Sequence, residues 1–527
     1  MRNLFIISVI LFHALIYVLG QYSSILYYYL LIISVPVSIL GFYDIIQTKH
    51  IILRNYPVLG HFRYLLESIR PEIQQYFIER YDDGRPFSRE QRSVVYQRAK
   101  QERDSVPFGT QHNLYEAGRE WLEHAMNPMD DDIIHDRVVI GNEQCKQPYN
   151  ASIFNISAMS YGSLSRTAIE ALNMGAKLGG FCHNTGEGGV SPYHLKHGGD
   201  LCWQIGTGYF GCRNLDGTFN ADFFQETSQN PNIKMIELKL SQGAKPGHGG
   251  MLPGSKVDAE VASIRKVEIG KDVNSPPSHK EFNTPIGLLK FLERLRDLSG
   301  GKPVGFKLCL GKKVEFMAIC KAMLETGIIP DFITVDGAEG GTGAAPLEFT
   351  NYLGTPLNDA LNFINNTLIG CGLRDKIRII AGGKVMDPFS MVTKFSLGAD
   401  ICNSARGMMF ALGCIQALRC NSNDCPTGVA TNDPKLFKLL HVPSKGERVF
   451  NFHKNTIKEL RHLVTAAGIS DLGKINKKFI KRRIGPGEIL SYHVLYPSAK
   501  ANDLIQGSGA PFMQKVWNIA KAEVFSE

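Results

Sequence analysis

The chain has 527 residues, 44% of them hydrophobic and 20% charged, with a formal net charge of +8. That is enough for one large domain with appendages and a sizeable core. The basic residues recur at 54–103 and 474–483, which suits an anionic membrane face at least as well as nucleic acid, and no nucleic-acid-binding module is recognisable. Eleven cysteines are sparse for this length. Several, such as Cys182, Cys309 and Cys402, sit in apolar runs, which fits buried free thiols in a reducing compartment rather than a disulfide framework.

Residues 4–20 are apolar apart from Ser8 and His13, and residues 25–46 are apolar apart from a few Ser and Tyr, with Pro36 inside and Asp44 near the end. Each is about long enough to cross a hydrocarbon core. Only residues 21–24 separate them, so they predict a transmembrane helical hairpin over residues 1–48. Tyr22, Tyr27, Tyr28 and Tyr29 would sit at the interface by the turn. Arg2 precedes the pair, and Lys49, Arg54 and Arg63 follow it. The positive-inside rule puts both ends, and the body that follows, on the cytoplasmic side of the inner membrane. A cleaved signal peptide fits less well, because the n-region is weak, no small-x-small cleavage site follows and a second span does.

Residues 49–150 are polar, with helix-like pieces at 62–80 and 89–103, and predict a linker packing on the body. From residue 151 a strand-helix rhythm begins. Strand-like runs fall at 152–158, 180–184, 201–206, 233–240, 304–310, 332–336, 377–381 and 400–404. Helix-like stretches fall at 164–178, 221–228, 258–266, 286–298, 314–325, 357–369, 388–395 and 408–418. In one of them Leu288, Leu289, Leu292 and Leu295 share a face while Lys290, Glu293, Arg294 and Arg296 lie off it. Eight such units predict an α/β (β/α)8 TIM-type barrel over an open doubly wound sheet, which would also want a dinucleotide fingerprint that is missing here. The barrel would occupy 151–432, with a helical extension at 433–527.

In such a barrel the chemistry sits at the C-terminal strand ends. Those ends carry Ala158-Met159-Ser160, Asn184 to Gly189, Lys239, Asp336 to Gly343, Gly382-Gly383 and Ser404 to Gly407. The fourth strand is followed by a glycine-rich loop holding Lys245 and His248. A lysine in a core strand is expensive to bury without an anion. Small residues before the last two helices offer free backbone N–H groups to a phosphate. Cys414, Cys420 and Cys425 cluster further on. Thiolates hold iron–sulfur clusters, whereas structural zinc sites want four ligands and tighter spacing.

The runs SAMSYGSLS (157–165), NTGEGG (184–189), IELKLSQGAKPG (236–247) and GGTGAAP (340–346), with the cysteine run, resemble the FMN-binding synthase domain of glutamate synthases, above all the stand-alone, membrane-anchored bacterial branch. The resemblance covers about residues 152–432. It implies FMN, a [3Fe-4S] cluster on Cys414, Cys420 and Cys425, and reduction of an imine of 2-oxoglutarate and ammonia to L-glutamate. It implies Lys239 beside the reduced flavin's developing negative charge, Lys245, Arg265 and Gln242 on the oxo acid, and Glu187 in proton handling or as a structural partner. Ala158, Met159, Ser160 and Asn184 would line the flavin, and Gly341, Gly343, Gly382, Gly383 and Arg406 would face its phosphate. His248 and Met251 depart from the family's usual Glu and Gln, which opens the door to a related oxo acid or amine. No glutaminase or NAD(P)H domain is evident, so ammonia would come from solution or a partner, and the electron donor is unidentified. Alternatives are another FMN-barrel enzyme, such as a 2-hydroxy-acid oxidase, and a tethered flavin-binding subunit without turnover. The missing His at the end of the sixth strand weighs against the former.

Overall fold

Eight short parallel strands close on themselves in the computed structural model, which describes residues 1–102 and 105–525. They are β1 (Phe154–Ile156), β2 (His183–Asn184), β3 (Leu201–Ile205), β4 (Ile233–Lys239), β5 (Val304–Leu308), β6 (Phe332–Asp336), β7 (Arg378–Gly382) and β8 (Ile401–Ser404). Each pairs with the next, and β8 pairs back to β1 through Cys402–Phe154, Asn403–Asn155 and Ser404–Ile156. The closed (β/α)8 barrel is therefore the architecture. A closed parallel sheet leaves no edge, and its strands are buried on both faces, which is why they read as near-continuous apolar runs.

The predicted helices recur with shifts of one or two residues, except the last. Expected over 408–418, it spans Arg406–Leu412 and stops at Gly413, whose φ is 113°. The chain then coils without helix through the cysteines, with Gln416, Leu418 and Asn423 in left-handed conformation. The N-terminal mouth of the barrel is plugged by an antiparallel hairpin, Arg137–Ile140 with Tyr149–Ser152. Its Ile140, Tyr149 and Ala151 join Cys182, Cys202, Met235, Phe332, Ile380 and Ile401 in a buried cluster. Only the C-terminal mouth is left for chemistry.

The chain forms two compact units, Met1–Arg89 and Glu90–Glu527. In the first, the helix Arg2–Tyr22 is followed by a 3-10 turn, Ile25–Leu30, and the helix Leu31–Ile46. Both apolar stretches are long and apolar enough to cross a membrane and are almost entirely unburied. The expected helix at 89–103 spans Arg89–Lys100, and Arg103 lies outside the described residues. The stretch 433–527, expected to be helical, holds the 25-residue helix Val442–Ala466. It also holds strands Ile480–Gly485 and Glu488–Ser491, which complete a three-stranded sheet with Glu120–Leu122. That hairpin was masked by its charge: Lys481, Arg482 and Arg483 break the apolar alternation that marks a strand. Ser526 and Glu527 lie outside the described residues.

Candidate functional site

Side chains alternate in and out along β4. Glu237 and Lys239 both point into the barrel, two residues apart. Glu237 is 1% exposed and accepts hydrogen bonds from Asn184 Nδ2 at 2.8 Å, Gln204 Nε2 at 2.6 Å and Thr334 Oγ1 at 2.5 Å. It ties β2, β3, β4 and β6 together inside the barrel. One layer up, at the open mouth, Lys239 Nζ donates to Glu187 Oε1 across 2.8 Å. Beside it Lys307 of β5 pairs with Asp336 of β6 at 3.3 Å. Asp336 also accepts from the Gly243 N–H at 2.8 Å, fixing the start of the glycine-rich loop.

Lys239 and Lys245 are almost fully buried, as is Arg265, and all three act on Glu187. Burial would raise the Glu187 carboxyl, but Lys239, then Arg265 and Lys245, outweigh it and hold it below its usual range. Burial, helped by the charge of Lys239 and opposed by Glu187, pushes Lys245 down to about 8. Burial likewise lowers Arg265 to about 10, against the pull of Glu187. Lys245 Nζ donates to the Ala344 carbonyl at 3.0 Å. Arg265 Nη2 donates to Ser160 Oγ at 3.2 Å and to the Tyr161 carbonyl at 2.9 Å, its guanidinium lies 5.2 Å from the Phe210 ring centroid, and its buried Nε has no partner among the described residues. Three cations around one carboxylate leave a surplus of positive charge at the mouth.

The other expected residues gather at the same end. Met159 is buried and Ala158 and Ser160 are half-buried at the exit of β1. Gln242 opens the turn whose carbonyl accepts from the Lys245 N–H. A Cβ on Gly243 would stand 1.7 Å from the Gly337 carbonyl oxygen, and one on Gly383 would stand 3.4 Å from the Gly337 nitrogen. The loop after β6 therefore bridges the loops after β4 and β7. Asn184 spends its amide on Glu237 and its carbonyl oxygen on the Gly186 N–H, so its side chain serves the barrel and its own turn. At the end of β8, Ser404 Oγ is buried without a partner among the described residues. His248 bonds the Gly249 carbonyl oxygen at 2.9 Å and meets the Phe349 ring edge-on at 5.3 Å, while Met251 is 39% exposed.

Arg406 reaches from Thr342 to the cysteines. Its Nη2 donates to the Thr342 carbonyl at 2.7 Å and its Nη1 lies 3.8 Å from Cys420 Sγ. Lys256 is 2% exposed and donates to the carbonyls of Ser163 and Ala430 at 3.0 and 2.9 Å, within electrostatic reach of Cys420 and Cys425. Burial would raise Cys425, but the Thr427 hydroxyl and the N–H groups of Ala430, Thr427 and Val429 hold it below the ordinary thiol value. Burial pushes Cys414 up to about 11. Among the described residues no three His, Cys, Asp or Glu side chains converge as they would around a single metal ion. Three cysteines on one coiled loop, Cys414 within electrostatic reach of Cys420 and Cys425 and with Lys256 and Arg406 close by, are nonetheless of the thiolate donor type that iron–sulfur clusters take.

Glu237, Lys256 and Lys307 were not singled out from sequence, and Asp336 was named only as the end of a strand. Glu237 and Lys307 carried a signal, each being a charge inside an apolar strand. Lys256 carried none, since nothing in its neighbours announces a buried turn.

A sequence profile of the conserved region in glutamate synthase matches residues 92–470. A Bacillus subtilis protein named glutamate synthase large subunit-like protein YerD is 40% identical over 87% of this chain and 95% of its own length. An archaeal glutamate synthase [NADPH] of Methanocaldococcus jannaschii is 33% identical over 60% of this chain and 59% of its own. The chain thus spans nearly all of one relative and about three-fifths of the other. Among solved structures, a mandelate oxidase variant aligns at 14% identity over 69% of this chain and 88% of that one, with a TM-score of 0.41, too low to bear on function.

Proposed function

The chain belongs to the glutamate synthase family and is an oxidoreductase of that type, and from this premise we propose that it binds FMN at the barrel's C-terminal mouth and reduces the imine of 2-oxoglutarate, or a close oxo acid, and ammonia to an L-amino acid. The observation that carries the reading is the Lys239–Glu187 pair with Lys245 and Arg265 around it. Condensation of ammonia with the keto carbon releases water and gives the imine. FMN, when bound, supplies the hydride, and a proton completes the amine. Lys239 offers positive charge where negative charge develops. Lys245 and Arg265 would hold the two carboxylates of a dicarboxylic acid. Glu187, kept ionised by its neighbours, orients Lys239 and can accept a proton from the incoming ammonium.

The Ser404 hydroxyl, without a partner among the described residues, and the small residues Gly382 and Gly383 support a phosphate at the ends of β7 and β8, with Gly341 and Gly343 bordering it. Cys414, Cys420 and Cys425 would hold a [3Fe-4S] cluster, with Arg406 linking its loop to the glycine loop after β6. The two apolar helices support a membrane anchor, and Arg2, Lys49 and Arg54 support a cytoplasmic body. Protein purified in detergent from cells supplied with riboflavin and iron should be coloured, with flavin bands and three irons per flavin from the proposed cluster. Flavin without iron would remove the relay and leave the barrel chemistry standing.

A further inference from the structure

Residues 60–78 follow an almost unbroken helical path: the α-helix Gly60–Ser68, one turn over Arg70–Ile73 and a π-helical turn over Gln74–Ile78. Phe62, Leu65, Leu66 and Ile69 recur at spacings that gather them on one face, and Tyr76 and Phe77 follow seven and eight residues after Ile69. None of the six is covered: they are between 40% and 84% exposed. Arg63 and Glu67 lie to one side of this stripe and pair at 3.1 Å, and Arg70 borders it. A contiguous apolar stripe of this size is not left to water without a counterpart.

The counterpart is indicated by what precedes it. Asp44, fully buried near the end of the second apolar helix, accepts hydrogen bonds from the Val58 N–H at 2.9 Å and from His61 Nε2 at 3.0 Å. This clasp ties the start of the stripe helix to the end of a helix long and apolar enough to cross a bilayer. With that helix across a bilayer, the stripe would begin at the level where it leaves the hydrocarbon. Resting on the membrane-anchored reading above, we propose that residues 60–78 lie in the plane of the bilayer surface. The stripe would be sunk at the headgroup–acyl boundary, with Arg63 and Arg70 directed at lipid phosphates. An apolar face flanked by arginines is the pattern of an interfacial helix, and long arginine stems let the charge reach the headgroups while the carbons stay in the apolar layer.

The test uses the full-length protein in vesicles of phosphatidylethanolamine and phosphatidylglycerol. Nitroxide labels are placed one at a time at Leu66→Cys, Glu67→Cys and, within the first apolar helix, Leu11→Cys, against the labelled unsubstituted protein as background. Oxygen, concentrated in lipid, should relax the labels at 66 and 11 most. A water-soluble nickel chelate should relax the label at 67 most. Nickel dominating at both 66 and 67 while 11 stays in lipid overturns the interfacial helix alone. A label at 66 reached by neither reagent means protein covers the stripe, and overturns it too. Nickel dominating at 11 overturns the anchor and the interfacial helix together.

Discussion

Lys239, the last residue of β4, and Glu187, on the loop after β2, meet across 2.8 Å at the mouth of the barrel although the sequence keeps them 52 residues apart. Each explains how the other tolerates burial. The lysine is 8% exposed and would be costly without the carboxylate, and the carboxylate stays ionised because three cations surround it. On the proposed chemistry, Lys239→Met should slow flavin reduction by roughly 100-fold, the size of losing one preorganised electrostatic group. Rapid-mixing absorbance of the flavin measures it, and Lys239→Arg should recover part of the rate. Unchanged reduction in Lys239→Met would remove the role given to this residue.

On the proposed chemistry, Lys245 should set a pH dependence. Its pKa is lowered to about 8, so it is protonated below that pH and loses its charge above it. An anionic oxo acid binds the protonated form, so KM should be flat below pH 8 and rise above it. Lys245→Met should raise KM by about 10–100-fold at pH 7, the loss of a charge-assisted hydrogen bond, and should abolish the rise above pH 8. A pH profile of KM that is the same in both proteins would exclude Lys245 as the titrating contact.

Glu237 carries the barrel rather than the chemistry. Glu237→Leu leaves three buried donors, on Asn184, Gln204 and Thr334, without their acceptor. Each orphaned donor costs about 1–3 kcal/mol, so stability should fall by at least roughly 3 kcal/mol, read from the urea midpoint at constant slope. A midpoint within error of the unsubstituted protein would mean that water replaces the carboxylate.

How much of this could be read in advance follows from where the signal lies. Strand positions were legible because strands buried on both faces are written as apolar runs bounded by glycine. The mouth was legible through Lys239 and the glycine loops beyond it. What periodicity hid was partnership. Nothing in the spacing says that Glu237 is the shared acceptor of three strands, or that Arg406 reaches Thr342, because both depend on barrel closure bringing distant segments together. The helix expected over 408–418 failed locally: Gly413 takes a φ of 113° that ends it before the cysteines.

Lys256 and Arg406 place two cations behind the cysteine loop. Cationic groups beside a thiolate-bound cluster stabilise its reduced, more negative form. Lys256→Met and Arg406→Gln should therefore lower the cluster's midpoint potential, followed by the magnetic resonance signal of the oxidised cluster during a redox titration. Cys425→Ala should lose iron and keep flavin. A midpoint unmoved in both cation variants, with iron retained, would show that neither charge is felt by the cluster.

The central claim is that this mouth passes a hydride to an imine built from an oxo acid and ammonia. Protein reduced chemically under anaerobic conditions and mixed with 2-oxoglutarate and ammonium tests it in a single turnover. The flavin absorbance should return, with one L-glutamate formed for each flavin reoxidised. A flavin that stays bleached while both substrates are present, and with related oxo acids and methylamine in their place, would contradict it.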